Sequence, residues 1–346
     1  MNPRLLALKS AVPPYVIAQS EAAHYARSLF AEMRDIARLI PVFENTGIRR
    51  RYSCVPIEWY LGDHGWMDRT KLYIENAVNL LETVTRRLLE EAKLQTGDID
   101  SIVVVSTTGI ATPSLDALLV ERMGLRRDIR RLPVFGLGCA GGVTGLARAA
   151  DLARAYPGSK VLFLVVELCA LTFRKNDISK SNIVATALFG DGAAGAILST
   201  DGEGPAVRAA GEHTWPHSLD VMGWDMAEDG LKARFATSIP GLVASDFRAL
   251  LDEFLARNAI ARGDIDAFAC HPGGAKVLDA LEDALDMPRG GLEDSRSILG
   301  DYGNMSAVTV LFVAERMDVR KKAGRTLMTA LGPGFSAAFL MLVNER

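Results

Sequence analysis

The chain has 346 residues, 49% of them hydrophobic and 23% charged. That is enough apolar surface for about two units of core, and it excludes disorder as a global description. With 39 Lys+Arg against 42 Asp+Glu the net charge is −3, so no strong field is available to capture nucleic acid. The longest apolar runs are strand-sized and predict no membrane span. The first residues carry no long apolar segment before a cleavage site, so no signal peptide is expected. Four cysteines in so long a chain make no disulfide framework, and they fit a reducing, cytoplasmic compartment.

In chain order, residues 5–9 predict a short opening strand, and 19–39 and 71–94 predict helices. Residues 102–106 (IVVVS) are a β-branched run and predict a strand. Helical spacing follows over 113–123, then a strand over 132–137, then Gly138-Cys139-Ala140-Gly141-Gly142. A helix is expected over 147–156 and a fully buried strand over 160–167. Residues 199–205 are turn chemistry and mark a join. A further strand is expected at 267–270. Strands separated by helices predict α/β layers around a covered sheet.

The second half repeats the first. Gly97-Asp98-Ile99-Asp100 returns at 263–266, and Gly138-Cys139 with Val143-Thr144 is matched by Gly303-Asn304 with Val308-Thr309 at nearly the same offset. A duplicated unit is expected, with Cys139 and Asn304 at equivalent loop-to-helix positions. The helix after Cys139 presents unpaired N–H groups and a positive dipole end, which favour a thiolate; the bland alternative is a small buried hydrophobe. His271 stands at a strand end before Pro272-Gly273-Gly274, and Asn304 precedes a helix it could simply cap. Loops of this kind are where α/β sheets place their sites.

These residues sit in familiar company. The stretches 47–52 (GIRRRY), 136–142 (GLGCAGG), Val166-Glu167 through Thr172-Phe173-Arg174, 187–194 (ALFGDGAA), 270–274 (CHPGG), 300–306 (GDYGNMS) and 332–334 (GPG) resemble, in that order and over nearly the whole chain, the type III polyketide synthases of the chalcone and stilbene synthase family. The resemblance implies a thiolase-like five-layered α-β-α-β-α fold built from two duplicated halves. Residues 1–200 would carry the nucleophilic Cys139, and residues 205–346 would carry His271 and Asn304. It implies a cytoplasmic homodimer, CoA thioesters as substrates, and neither metal nor cofactor.

The implied activity is iterative decarboxylative condensation of malonyl-CoA onto an acyl-CoA starter, followed by cyclisation to a pyrone or phenolic product. Cys139, as a thiolate paired with a His271 imidazolium, would hold the chain, and His271 with Asn304 would bind the thioester oxygen. Phe189 and, by a looser match, Phe235 would gate the pocket. Thr107, Thr112, Cys169, Thr172 and Ser306 would line it, and Arg49, Arg50 and Arg51 would meet the CoA phosphates. Cys169 stands where plant members carry threonine, Thr112 where many carry methionine, and Ala330-Leu331 precede Gly332-Pro333-Gly334 where plants have Gly-Phe. Ala11-Val12-Pro13-Pro14 and the following helix are similar to bacterial alkylpyrone and alkylresorcinol synthases, which implies a fatty acyl starter; bacterial members starting from malonyl-CoA alone stay open. The rival readings are a ketoacyl-ACP synthase III-like enzyme that extends once, a non-catalytic acyl-CoA binding protein of the same fold, and a cysteine hydrolase.

Overall fold

The computed structural model describes residues 1–30 and 40–345. In chain order the first half gives β1 (Arg4–Ala11), β2 (Tyr15–Ala18), α1 (Gln19–Leu29), α2 (Pro41–Asn45), β3 (Arg50–Ser53), α3 (Trp66–Ala92), β4 (Ser101–Ser106), α4 (Leu115–Met123), β5 (Arg130–Phe135), α5 (Gly141–Ala155), β6 (Val161–Leu168), α6 (Lys180–Leu188) and β7 (Asp191–Ser199). The second half gives β8 (Ala206–Thr214), β9 (Met222–Ala227), β10 (Gly230–Phe235), α7 (Ile239–Arg257), β11 (Ala267–Cys270), α8 (Ala275–Ala284), α9 (Glu293–Tyr302), α10 (Thr309–Arg316), β12 (Gly324–Gly332) and β13 (Ser336–Asn344). Residues 31–39 of the first expected helix lie outside the described residues.

The repeat is written in the strand order. The sheet runs β5-β4-β6-β7-β1 and then β8-β13-β12-β11. In the first half β4 is parallel to β6, β6 antiparallel to β7, and β7 antiparallel to β1. In the second, β11 is parallel to β12, β12 antiparallel to β13, and β13 antiparallel to β8. Each second-half strand of this sheet therefore takes the place of β4, β6, β7 or β1, and only the counterpart of β5 is missing among the described residues. The two half-sheets meet through one pairing, Arg4 with Ala206.

Side-chain alternation then builds the layers. Ile102 and Val104 of β4, with Leu162 and Leu164 of β6, pack outward with α3. Val103 and Val105, with Phe163 and Val165, pack inward with α5 and α10. In the other half Leu340 and Leu342 join that same inner cluster, while Phe339 and Met341 face α7 and α8. The result is five layers: α3 and α4, a sheet, the α5–α10 pair, a sheet, then α7 and α8. A strand buried on both faces has no polar side, which is why β6 reads as an unbroken apolar run ending in Glu167. Every residue of β6 is buried.

One expected boundary moves. The helix predicted from residue 147 begins at Gly141. Its first turns hold Gly141, Gly142 and Gly145, poor helix formers on propensity, kept because a layer sandwiched between two sheets must be thin. Among the described residues no helix is long and apolar enough to cross a membrane.

Candidate active site

Three loops converge where the inner helices begin. Cys139 sits in a 3-10 turn, Gly138–Ala140, between β5 and α5. Gly138 has φ +48°, and a Cβ there would stand 2.4 Å from Pro333 Cδ. Only glycine allows that backbone twist under that close a roof. The Gly138 N–H donates to Thr107 Oγ1 at 3.0 Å, tying the turn to the end of β4. Asn304 follows α9; its backbone forms a parallel bridge to Phe189, and its N–H donates to Leu188 O at 2.8 Å. His271 follows β11 directly and donates its N–H to Thr329 O of β12 at 2.8 Å.

Side chains link the loops. The Cys139 thiol donates to Ser306 Oγ at 3.7 Å. The Ser306 N–H donates to Asn304 Oδ1 at 2.8 Å, and Asn304 Nδ2 donates to Gly273 O, two residues past His271, at 3.2 Å. Behind Ser306 lies Glu167, wholly buried. Its Oε2 accepts from Thr107 N, Thr108 N and Thr108 Oγ1 at 3.0, 3.0 and 2.8 Å, and its Oε1 accepts from Ser306 Oγ at 3.4 Å.

The electrostatics follow from dryness. Burial pushes the Cys139 thiol up to about 12, with the hydrogen bond to Ser306 opposing it. Burial drives His271 down to about 3, and neither ring nitrogen has a hydrogen-bond partner among the described residues. Burial thus disfavours the charged form of both groups. An ionised cysteine–histidine pair, the expectation from the sequence, has to overcome this desolvation through the helix dipole and the attraction of its own two charges. Burial also lifts Glu167 to about 7, against the hydrogen bonds it accepts from residues 107 and 108.

Phe189, whose backbone bridges Asn304, also lines a partly open pocket together with Tyr25, Leu29, Ile57, Phe173, Cys169 and Thr172 among others. Phe189 meets Phe235 edge-on, with ring centroids 5.6 Å apart, and Trp224 at 6.0 Å.

Sequence models described as the N-terminal and C-terminal domains of chalcone and stilbene synthases match residues 2–202 and 206–343. The chain belongs to that family. It is 36% identical to a putative chalcone synthase of Bacillus subtilis, over 99% of both chains. It is 39% identical to a 1,3,6,8-tetrahydroxynaphthalene synthase of Streptomyces peucetius, over 97% of this chain and 92% of the relative. The crystal structure of 1,3,6,8-tetrahydroxynaphthalene synthase from Streptomyces coelicolor, a bacterial type III polyketide synthase, superposes with a TM-score of 0.94 at 30% identity over 99% of both chains. The thiolase-like fold and the class of condensing acyltransferase follow from this membership.

The structure joins several of the residues singled out in the sequence and places others apart from them. Thr107 and Ser306 touch the Cys139 turn, and Phe235 does reach Phe189. Cys169 is fully buried with its thiol held far in the protonated form by burial, which fits packing. Thr172 spends its hydroxyl on Cys169 O at 2.7 Å. Arg51 is a correction: it is buried, and its guanidinium donates to Phe189 O at 3.1 Å, to Gln19 Oε1 at 2.7 Å and to Thr186 O. It fixes the backbone of Phe189 and cannot also meet a phosphate. Arg49 and Arg50 stay exposed beside Asp301, at 2.9 and 3.7 Å. Thr112 lies exposed on the loop before α4.

Sequence reasoning assigned no role to Glu167 or Trp224. The signal for Glu167 was available: it is the one charge in an eight-residue buried strand, where an ionisable group is costly unless used. Nothing in the sequence around Trp224 marked it.

Proposed function

We propose that this chain is a type III polyketide synthase that condenses malonyl-CoA repeatedly onto a fatty acyl-CoA starter held on Cys139, and cyclises the product to a pyrone or phenol. The observation that carries this reading is the convergence of Cys139, Asn304 and the His271 loop, together with Phe189, which bridges Asn304 and lines a mostly apolar pocket. Cys139 sulfur attacks the starter thioester, its S–H proton leaves, and CoA departs as thiol. Malonyl-CoA then loses carbon dioxide. The electron pair of the broken C–C bond moves into an enolate, whose oxygen takes hydrogen bonds from His271 and Asn304. A neutral imidazole still has one N–H to give, so the enolate needs no imidazolium. The enolate carbon attacks the Cys139 thioester and expels the sulfur, and the longer chain reloads.

The same reading gives residues 1–200 the nucleophile and residues 205–346 its two companions. Exposed Arg49 and Arg50 are the CoA phosphate contacts. The starter class rests on the pocket's lining of Ile17, Ala22, Leu29, Ile57 and Phe173, suited to a chain of methylenes. Four free, buried cysteines support a reducing, cytoplasmic setting. A homodimer is supported by the bare edge of β5, where Leu132 and Phe135 are 37% and 54% exposed.

The test is incubation with malonyl-CoA and acyl-CoAs of graded length, products read by mass. Products carrying two or more added C2 units on medium or long starters are expected. A single extension, or use of malonyl-ACP alone, would make it a ketoacyl-ACP synthase III-like enzyme; free fatty acid without malonyl-CoA consumption would make it a hydrolase.

A further inference from the structure

Phe189 has a fixed backbone and a side chain whose position depends on its neighbours. Its N–H donates to Ala185 O at 2.9 Å, its carbonyl accepts from Arg51 at 3.1 Å, and the next N–H, of Gly190, donates to Asn304 O at 3.0 Å. What remains free is rotation of the ring about its own side-chain bonds. On one side that ring lines the apolar pocket together with Cys169 and Ala185. On the other it meets Trp224 and Phe235, with ring centroids 6.0 and 5.6 Å away. Those two rings back Phe189 without lining the pocket themselves.

Both belong to the hairpin of β9 and β10, whose strands pair with each other and with no other strand among the described residues. Trp224 stands opposite Ala233, and Met222 opposite Phe235, so the four side chains share one face. The small Ala233 leaves room for the large indole. It is buried in a cluster with Cys169, Ala185 and Phe189, against which Trp224 and Phe235 pack. The hairpin is moored elsewhere. Trp66 Nε1 donates to Ala227 O at 2.8 Å, and ion pairs join Arg174 to Asp229 at 2.5 Å and Lys232 to Asp177 at 3.4 Å. Shortening Trp224 therefore empties space behind Phe189 while these moorings stay in place.

We infer that Trp224 is a positioning residue whose indole keeps the Phe189 ring turned into the pocket, and that it thereby restricts the starter to an unbranched acyl chain. The inference rests on the proposed function, in which that pocket receives the starter. A straight chain of methylenes is narrow and lies along a ring that stays put. A branched or aromatic acyl group is wider and has to push the ring back. With the indole behind it the ring has nowhere to go, and close-packed groups resist such displacement. Cys169 and Ala185 are small and set no comparable limit, so Phe189 fixes the width and Trp224 fixes Phe189.

The experiment is calorimetric binding of octanoyl-CoA and phenylacetyl-CoA, which carry equal numbers of acyl carbons, to protein bearing Cys139→Ala so that no acyl group is transferred. With Trp224 in place the straight chain should bind at least about tenfold more tightly. Trp224→Ala should bring the two within about twofold, chiefly by tighter binding of phenylacetyl-CoA, and Trp224→Phe should keep most of the discrimination. Once Phe189→Ala is present, adding Trp224→Ala should change the ratio no further, because the two side chains act as one unit. A purely structural indole would lower the melting temperature and leave the ratio as it was. The inference is overturned by an unchanged ratio in Trp224→Ala, by additive effects of the two substitutions, or by equal binding of both acyl-CoAs before Trp224 is touched. If Trp224→Ala does not fold, Trp224→Leu decides by the same ratio. Failure of the proposed function reads out elsewhere: enzyme with Cys139 intact then gives no extended product from malonyl-CoA with any starter, while the binding ratios stand.

Discussion

Asn304 holds two partners with one carboxamide, and its replacement has two consequences. Its Oδ1 fixes the Ser306 N–H, and its Nδ2 rests on Gly273 O at a loose 3.2 Å, free to turn to a substrate oxygen. Asn304→Ala should slow malonyl-CoA decarboxylation by about 10²–10³-fold, the usual loss for one oxyanion donor, measured as carbon dioxide release; a change under about tenfold would reduce Asn304 to a cap. Cys139→Ala should abolish extension and leave slow decarboxylation, since both donors remain. Glu167 gives a prediction with a sign. Burial raises its carboxyl from 4.5 to about 7, so the folded chain holds a proton the unfolded chain releases. That stabilisation is complete below pH 4.5 and is lost as pH climbs through 7. Uncharged Glu167→Gln should therefore gain on the wild type with rising pH, by up to about 3 kcal/mol above pH 7. Denaturant unfolding at pH 5 and pH 8 tests it, and a pH-independent difference would refute it. His271, held down to about 3, titrates in both proteins and cancels.

At the scale of elements, the strands were the most legible feature. β4 and β6 are short, apolar and β-branched, and nothing competes with that pattern. The start of α5 was not legible, because its glycines argue against a helix until the neighbouring layer is in view. Arg51 misled for a related reason: three consecutive arginines look like one surface cluster, yet β3 alternates, with Arg50 exposed and Arg51 and Ser53 buried. The same close packing that hid α5 makes Gly142 a sensitive position. A Cβ there would lie 2.2 Å from Ala307 O and 2.7 Å from Val310. The first of these is backbone and cannot swing aside, so Gly142→Ala must push the start of α10 away from α5. We expect a loss of about 1–3 kcal/mol or more, seen as a melting temperature lowered by several degrees. Activity should fall further than stability, because Ala307 adjoins Ser306. An unchanged melting temperature would mean the two helices can part freely.

For the whole molecule, the duplication was legible because two loop motifs recur at one spacing, whereas the assembly was not, because an edge strand is defined only once its neighbours are known. Among the described residues β5 pairs with β4 alone, and no strand of the other half stands in its counterpart position. Its burial pattern is nearly all exposed, with Leu132 and Phe135 bare and Ile110 nearby also 45% exposed. Asp116, fully buried behind this surface, has neither oxygen hydrogen-bonded, and its nearest cation is Arg131 at 3.6 Å. An apolar edge of this kind pairs or aggregates unless it is covered, and a second copy of the same edge covers it with twofold symmetry. Phe135→Asp puts a charge at the centre of such a contact. Sedimentation should show a dimer for the wild type and a shift toward monomer for the variant, with the far-ultraviolet spectrum unchanged. A monomeric wild type, or a variant as dimeric as its parent, would rule this edge out as the interface.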